Sequence, residues 1–418
     1  MYFPLPPQWS VSQFIENKED APTTSVAELT REALTSPLGT PPLENMISGA
    51  RRIAIIVDDR TRPTPVADIL QVLLPYLSRH GAAREKVSIV IALGTHVPMT
   101  GEELESRLGK EVVSSYKIVQ HDAWQPDLVP VAIAESGRVV KINPEVARAD
   151  LKIGISSILP HPMAGFGGGP KILMPGVSNF EFIRDHHMRH TIHPRFMAGV
   201  TKGNPFHENC LKAAQAIGLD YSINCVYNQH GEIVRIIGGG LESAFEGAVE
   251  ECYKTLGVRF EEKVDITITS TYPHIHGHQF CKGLNAPDLI TREDGAVLMV
   301  VPAGDPISVE FVNSFNLVRE RSHDNVAEYV KENMSKGEPF LSDKPVEFNM
   351  AMTCVILRPK IRTVLVSPSV SQEAARTMGF DYAPTVEEGV KLLERDYTEA
   401  RVAIFPTGGL IIPLTTWS

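Results

Sequence analysis

Apolar runs rich in β-branched residues alternate with helix-like stretches along most of this chain. The runs that predict strands cover residues 53–57, 87–93, 151–155, 266–270, 296–301, 362–366 and 401–405. Their alternation with helices predicts an α/β protein with mainly parallel sheets.

The length of the chain predicts two domains. A chain of 418 residues exceeds what one ordinary hydrophobic core accommodates. A helix-like run over residues 242–256 separates the two groups of strands. We therefore expect an N-terminal α/β domain of residues 1–260 and a C-terminal α/β domain of residues 261–418, with the active site in the cleft between them. The first 45 residues, rich in proline, serine and threonine, are expected to wrap the surface.

Polar side chains follow each of the three N-terminal strands. Asp59 and Arg62 come after the first strand, His96 after the second, and His161 and Lys171 after the third. In α/β sheets the loops after the carboxyl ends of strands form the ligand crevice. We therefore expect these five side chains to lie together, with His96 and His161 as a pair of acid–base groups facing one substrate.

The segment L-P-H-P-M-A-G-F-G-G-G-P-K, residues 159–171, holds four glycines between a histidine and a lysine. Glycines let backbone N–H groups approach a ligand closely, and a lysine at the end can meet a phosphate or bond to a carbonyl-like carbon. The spacing is not that of a P-loop, because Ile172 follows the lysine where serine or threonine is required. The segment predicts a ligand loop of another kind; the alternative is a glycine-rich turn with an exposed lysine.

A first group of histidines occupies a predicted helix and the residues after it. Its members are His186, His187, His190 and His193. On a helix, residues three or four positions apart share a face, so pairs within the group could bind a transition metal. The alternative for each of them is a solvated histidine or one that caps a backbone carbonyl.

A second group lies in Y-P-H-I-H-G-H-Q-F-C-K-G, residues 272–283. In an extended strand His274, His276 and His278 would point to one side and could bind a metal. The proline and glycines favour a loop instead, and Gln279 and Lys282 suit hydrogen bonds to a small oxyanion.

Charge and cysteine content narrow the range of partners. A formal net charge of −10 argues against nucleic acid or an anionic membrane as the main partner. No signal peptide is visible at the start, and no apolar stretch reaches the length of a membrane span. Five scattered cysteines fit reduced thiols better than a disulfide framework, which predicts a cytoplasmic protein.

Six motifs in order resemble the nickel-dependent lactate racemase family. They are D-D-R-T-R-P-T-P (58–65), G-T-H (94–96), H-P-M-A-G-F-G-G-G-P-K (161–171), H-H-M-R-H (186–190), G-N-P-F-H-E (203–208) and H-Q-F-C-K-G (278–283). The resemblance runs from about residue 50 to the C-terminus, and its most specific part is the spacing of His161, Lys171 and His187.

The resemblance implies a cofactor and a role for each site residue. The cofactor is the nickel-pincer nucleotide, a pyridinium-3-thioamide-5-thiocarboxylic acid mononucleotide that holds nickel. Lys171 corresponds to its covalent anchor, His187 to the protein ligand of nickel, and His96 and His161 to the two catalytic acid–base groups. The implied supporting residues are Asp59, Thr61, Gly167, Gly168 and Gly169 toward the cofactor and Arg62, His278, Gln279 and Lys282 toward the substrate.

The activity implied by the resemblance is inversion of C2 of a 2-hydroxy acid by hydride transfer to the cofactor. Family members act on lactate, malate, 2-hydroxyglutarate, aromatic lactates and aldonates, and His278 stands where lactate racemase carries an aromatic residue. We therefore expect a polar 2-hydroxy acid rather than lactate, with cofactor-biosynthesis proteins as loading partners. Two alternatives stay open: a mononuclear metal hydrolase or lyase without an organic cofactor, and a non-catalytic nucleotide-binding protein.

Overall fold

The computed structural model describes residues 3–14, 22–190, 197–302 and 304–415. Its strands are β1 (Trp9–Phe14), β2 (Ile53–Asp58), β3 (Val87–Ala92), β4 (Lys117–Gln120), β5 (Val129–Ile133), β6 (Val139–Ile142), β7 (Leu151–Ser157), β8 (Pro160–His161), β9 (Gly165–Phe166), β10 (Tyr221–Tyr227), β11 (Ile233–Gly239), β12 (Gly257–Phe260), β13 (Val264–Ser270), β14 (Thr291–Val300), β15 (Arg362–Val366), β16 (Asp381–Ala383), β17 (Ala400–Phe405) and β18 (Ile412–Thr415).

Helices connect these strands. They are α1 (Val26–Thr35), α2 (Leu43–Ile47), α3 (Val66–Arg79), α4 (Gly101–Leu108), α5 (Lys110–Ser115), α6 (Pro144–Ala147), α7 (Phe180–His190), α8 (Pro205–Ile217), α9 (Leu241–Leu256), α10 (Asn285–Ile290), α11 (Val309–Ser322), α12 (Val326–Ser335), α13 (Val346–Ile356), α14 (Gln372–Thr377) and α15 (Val386–Glu394). Short 3₁₀ turns cover Arg84–Lys86, Gly169–Ile172, Gly277–Leu284 and Gly408–Leu410. Within the described ranges, no helix is both long and apolar enough to cross a membrane.

The first sheet has six strands in the order β11-β10-β7-β2-β3-β4. All neighbours are parallel except the β10–β11 pair, which is antiparallel. Every residue of β2 and β3 is buried, as expected for strands with helices on both faces. The three strands predicted in this half are confirmed, and they lie side by side in the order β7-β2-β3.

The second sheet is parallel throughout, in the order β1-β17-β13-β14-β15-β16. The four strands predicted in this half are all present in it. The α/β class with mainly parallel sheets, predicted from the apolar runs, is thus confirmed.

The N-terminal segment differs from the prediction that it wraps the surface. Residues 9–14 form β1 and extend the second sheet, with Trp9 opposite Ala400. The indole of Trp9 is buried and donates a hydrogen bond to the carbonyl of Tyr397 (2.7 Å). Burial of one large aromatic side chain and a row of backbone hydrogen bonds therefore hold the segment against the far end of the chain.

Each end of the chain pairs with a strand from the opposite half of the protein. While β1 joins the second sheet, β18 pairs with β12, and Ile412 packs in the core that covers the first sheet. The division into domains of residues 1–260 and 261–418 stays a prediction. The strand pairing adds that residues 9–14 lie with the second sheet.

Candidate active site

A cavity lies between the two sheets, at the carboxyl ends of their central strands. Its walls are the loops after β2, β3, β7 and β13, together with the first turns of α13. Open α/β sheets bind ligands in this position because the loops of neighbouring strands converge there. Asp59, Arg62, His96, His161 and Lys171 all line this cavity, although they span more than 100 positions of the chain.

Most of the other predicted site residues reach the same cavity. Those lining it are Thr61, Gly167, Gly168, His187, His278, Gln279 and Lys282. Gly169 is absent from the cavity wall and is buried. Its backbone N–H donates to Oγ of Ser156 (3.0 Å), and a Cβ at this position would lie 2.2 Å from the Phe245 ring. Gly169 thus packs the glycine loop against the protein interior rather than against a ligand.

Asp59 and His96 form a hydrogen-bonded pair. Nδ1 of His96 donates to Oδ2 of Asp59 (2.6 Å), while the backbone N–H and hydroxyl of Thr61 donate to Oδ1 (2.7 and 2.5 Å). Burial raises the pKa of Asp59, but His96, Arg62 and Thr61 outweigh it and hold that pKa far below its usual range. Asp59 is therefore a carboxylate that directs the lone pair of neutral His96 to Nε2, where it can accept a proton.

His161 presents the opposite ring nitrogen. The backbone N–H groups of Met163 and Ala164 both donate to its Nδ1 (3.2 Å each). In the neutral ring the proton must then be on Nε2. Burial lowers the pKa of His161 well below its ordinary value, and Lys171 and Lys282 lower it further. His161 is therefore a neutral hydrogen-bond donor in this structure, whereas Nε2 is the acceptor atom of His96 when that ring is neutral.

Three cations converge on the cavity. Arg62 Nη1 and Lys282 Nζ both donate to Oε1 of Gln279 (3.3 and 3.4 Å). Burial lowers the pKa of Lys282 well below its usual value, and Arg62 and Lys171 lower it further. The ionised carboxylate of Asp59 interacts with Arg62 and Lys282 and offsets one of these charges. A site with this excess of donors and positive charge suits an anionic ligand.

Lys171 lies in the 3₁₀ turn that ends the glycine loop. Its ammonium group is 4.6 Å from the centre of the Phe206 ring. Burial lowers the pKa of Lys171 to about 8, with Cys210 acting in the opposite direction and Arg62 in the same one. A lysine with such a pKa is neutral in about a tenth of molecules at pH 7, far more than an ordinary lysine, and the neutral amine is the form that attacks a carbonyl-like carbon.

His187 is the member of the first histidine group that lines the cavity. Its Nδ1 donates to the carbonyl of Ile183 (2.8 Å), so the lone pair is on Nε2. Burial lowers its pKa to about 3, and Lys171 adds to this. A neutral imidazole that donates its other N–H to a backbone carbonyl is the usual form of a metal-ligating histidine.

The other histidines of that group differ in position. His186 is buried away from the cavity, with Nε2 3.1 Å from the carbonyl of Phe206. His190 ends α7, and His193 lies outside the described residues. Across residues 3–14, 22–190, 197–302 and 304–415, no three His, Cys, Asp or Glu side chains form a metal-binding group. Within that part of the chain, a metal beside His187 would need ligands from another molecule.

The second histidine group forms a loop and a 3₁₀ turn rather than a strand, as its proline and glycines predicted. His274 and His278 line the cavity. His276 contacts Asp305 (3.1 Å), which also accepts a hydrogen bond from Nη1 of Arg60 (2.9 Å). His274 and His278 therefore belong to the cavity, whereas His276 belongs to an ion-pair cluster with Asp305 and Arg60 that joins the two halves of the protein.

Helix α13 supplies cavity residues that sequence reasoning missed. Glu347, Met350 and Cys354 line the wall opposite the loops of the first sheet. Burial raises the pKa of Glu347, while His96 and the Thr95 hydroxyl act in the other direction. The helix is mostly apolar and lies about 60 residues from the nearest motif, so its sequence carries no signal of a functional role.

Comparison with known proteins shows which family this chain resembles. Residues 1–199 match the model of the lactate racemase N-terminal domain. The chain is 28% identical to the lactate racemase of Lactiplantibacillus plantarum over 395 residues, covering 93% of this chain and 91% of that protein. It is 26% identical to the lactate racemase of Thermoanaerobacterium thermosaccharolyticum over 395 residues, covering 93% and 90%.

Two solved structures share the fold. The lactate racemase apoprotein from Thermoanaerobacterium thermosaccharolyticum superimposes with a TM-score of 0.82 at 24% identity, covering 93% of this chain and 92% of that one. A Thermotoga maritima protein superimposes with a TM-score of 0.63 at 17% identity, covering 91% and 100%. The match over residues 1–199 and the two curated relatives confirm the predicted resemblance to the lactate racemase family, and the solved apoprotein shares the fold of this chain.

Proposed function

We propose that this protein is a racemase or epimerase that inverts C2 of a 2-hydroxy acid by hydride transfer to a nickel-pincer nucleotide. The observation that carries the proposal is the pair of histidines on one cavity, His96 presenting an acceptor nitrogen and His161 a donor. Lactate racemase is the activity named for the two curated relatives. Family membership and the chemistry of the cavity thus support the same reaction class.

The cavity residues fit the cofactor that the family implies. Lys171 is a buried amine of lowered pKa, suited to a thioamide linkage with an arm of the cofactor. His187 offers a neutral nitrogen lone pair that a soft divalent metal accepts. Gly167 lines the cavity without a side chain, and a Cβ there would meet nothing nearer than the Leu159 carbonyl at 3.8 Å. In the proposal Lys171 anchors the nucleotide, His187 ligates nickel, and Gly167 and Gly168 line the cofactor site with Asp59 and Thr61.

When bound, the cofactor supplies an acceptor for the C2 hydride that returns it to either face of a planar 2-keto acid. The protein side chains move the hydroxyl proton. His96, held by Asp59, removes that proton for one enantiomer, and His161 in its charged form delivers a proton to the same oxygen for the other; each histidine is neutral as the base and charged as the acid, and the roles exchange in the reverse direction. Avoiding proton removal from C2 matters because a carbanion beside a carboxylate is of very high energy.

The cationic side chains of the cavity are suited to bind an anionic substrate. Arg62 and Lys282, which share Gln279 as a partner, are suited to hold the C1 carboxylate. His278 and Gln279 are polar groups of the same wall, in line with a polar 2-hydroxy acid rather than lactate. We further propose that cofactor-biosynthesis proteins load the chain. Five free cysteines, four of them buried, fit a reducing cytoplasm.

The two alternatives make different demands on the same cavity. A mononuclear metal hydrolase or lyase would carry metal without a covalent adduct on Lys171. A nucleotide-binding protein without catalysis would keep its ligand affinity when His96 and His161 are replaced, and it would convert no substrate. Both differ from the racemase in an observable quantity.

The test follows configuration at C2 after production in a host that makes the cofactor. The holoprotein is incubated with lactate, malate, 2-hydroxyglutarate, phenyllactate and gluconate. We expect inversion of at least one acid and a loss of about 10²–10⁴-fold in rate for His96→Ala and for His161→Ala. His80→Ala, an exposed histidine outside the cavity, is the matched control and should keep full activity. Full activity in either cavity variant would rule out its acid–base role, and inversion of no acid by loaded protein would refute the function.

A further inference from the structure

One wall of the cavity carries polar groups that the proposed reaction does not use. They are His278 in the 3₁₀ turn Gly277–Leu284, Glu347 at the start of α13, and Thr95 after β3. All three line the same cavity as His96, and Thr95 directly precedes it in the chain. A substrate that reaches His96 in this cavity can therefore contact them as well.

The His278 ring is fixed in place and has hydrogen-bonding capacity to spare. Its centre lies 5.6 Å from that of Phe311 and 5.3 Å from that of Phe348, so two aromatic rings pack against it. Its ring nitrogens make no hydrogen bond to the described part of the chain, yet the side chain lines the cavity. Burial lowers the pKa of His278 to about 4, and Lys282 and His96 lower it further. The ring is thus neutral at pH 7, with one donor and one acceptor to offer a ligand.

Glu347 offers two further acceptor oxygens. Its partner is the Thr95 hydroxyl, and within the described ranges no lysine or arginine forms an ion pair with it. The cations of the cavity, Arg62 and Lys282, share Gln279 and are assigned to the C1 carboxylate in the proposed function. In its ionised form, a carboxyl group without a cationic partner repels a second substrate carboxylate and accepts hydrogen bonds from hydroxyl groups.

We infer that Glu347 and His278 recognise a hydroxyl group on C3 of the substrate, which makes a polyhydroxylated 2-hydroxy acid of the aldonate class the preferred substrate. A C3 hydroxyl donates to the Glu347 carboxylate and exchanges a hydrogen bond with neutral His278. Lactate has no C3 hydroxyl to offer either group, and malate or 2-hydroxyglutarate brings a carboxylate toward Glu347. The inference rests on the proposed function, which determines where C2 of the substrate lies in the cavity.

A second role for Glu347 has to be separated from recognition. Because Glu347 interacts electrostatically with His96, its carboxylate could instead affect the rate indirectly, through the basicity of His96. An effect on His96 lowers the rate for every substrate equally. Recognition of a C3 hydroxyl lowers the rate only for acids that carry the hydroxyl, so the ratio of kcat/KM values between substrates distinguishes the two.

The experiment measures kcat/KM of the holoprotein for gluconate, lactate and malate. We expect gluconate to exceed both other acids by at least about 100-fold, as for a site built to hydrogen-bond hydroxyls. Glu347→Gln should lower the value for gluconate by about 10- to 100-fold and leave that for lactate nearly unchanged. His278→Phe should act in the same direction. Glu338→Gln removes an exposed carboxylate outside the cavity and should change neither value. Preference for lactate or malate, or an equal loss for all acids in Glu347→Gln, would overturn the inference.

Binding to the protein without cofactor separates this inference from the proposed function. Calorimetry should show tighter binding of gluconate than of lactate, with the difference lost in Glu347→Ala. If no acid is inverted but gluconate binding still depends on Glu347, the recognition stands and the reaction is wrong. If gluconate binding is no tighter than lactate binding, the inference is wrong whatever the reaction.

Discussion

The carboxylate of Asp59 accepts a 2.6 Å hydrogen bond from Nδ1 of His96, a residue 37 positions away along the chain. The pairing exists because β2 and β3 are parallel neighbours, so the residues that follow them meet at one edge of the sheet. The Thr61 backbone N–H and hydroxyl hold the other carboxylate oxygen. An oriented carboxylate of this kind fixes both the tautomer and the direction of the imidazole.

Replacement of Asp59 by asparagine should remove that orientation. The amide offers Nδ1 of His96 a donor as readily as an acceptor, which permits the tautomer with its proton on Nε2. We expect kcat for C2 inversion to fall by about 10²–10⁴-fold, the range for loss of general base catalysis. Thr61→Ser is the control, since it keeps the hydroxyl on the same carboxylate and leaves the contact with His96. A rate for Asp59→Asn no lower than that of the control would contradict the role of the pair.

Two adjacent glycines of the ligand loop should respond differently to alanine. Gly168 has a φ of +71°, and a Cβ there would lie 2.4 Å from the Ser157 carbonyl oxygen. The backbone conformation alone costs an alanine about 1–2 kcal/mol, and the close contact adds to this. Gly168→Ala should therefore lower the free energy of unfolding, measured by denaturant titration.

Gly167→Ala is the partner variant. The nearest atom to its Cβ would be 3.8 Å away, so stability should be retained. Since Gly167 lines the cavity, the added methyl group should reduce cofactor loading instead. Equal stability of the two variants would show that the conformation of the loop has been misjudged.

The amine of Lys171 should become reactive at a lower pH than an ordinary lysine. Burial lowers its pKa to about 8, so the neutral fraction rises as the pH passes through that value rather than through about 10.4. Competitive acetylation followed by peptide mass spectrometry should give a midpoint for Lys171 near pH 8 in the folded apoprotein. In denaturant the midpoint should move up to the ordinary value. A midpoint near 10.4 in the folded protein would remove the basis for an activated amine.

The nickel content of the holoprotein should depend on His187 and not on His186. The two residues are adjacent on α7, but only His187 lines the cavity, while His186 contacts the Phe206 carbonyl. His187→Ala should lower the affinity for nickel by more than about 100-fold. Removing only a residue that hydrogen-bonds to a ligand costs about 10- to 100-fold, and here the ligand itself is lost. His186→Ala should retain nickel, with thermal unfolding as the check on the fold. The reverse result would assign the nickel to the other histidine.

The core strands and much of the cavity could be predicted from the sequence for physical reasons. Strand β2 is apolar at every position except the last, and β3 at every position except the second. This pattern predicts strands that are buried on both faces. The rule that ligands bind at the carboxyl ends of parallel strands then brought Asp59, His96 and Lys171 to one place. Both inferences need only local sequence and the regular geometry of sheets.

Other features depend on contacts that local sequence does not encode. The strand β1 pairs with residues more than 380 positions away, and most of its side chains are exposed, so no apolar run marks it. Glu347 reaches the cavity only because α13 packs against the turn that carries His278. Gly169 shares its sequence context with Gly167 and Gly168 but faces Phe245. Only the packed structure separates it from its neighbours.

The most direct test of the central claim is the intact mass and nickel content of protein produced together with the cofactor-biosynthesis proteins. We expect a single adduct of nickel-pincer nucleotide mass, located by peptide mapping on Lys171, with one nickel per adduct. The same preparation of Lys171→Met should keep its fold and carry neither. Metal without an adduct, or an adduct that persists in Lys171→Met, would contradict the account.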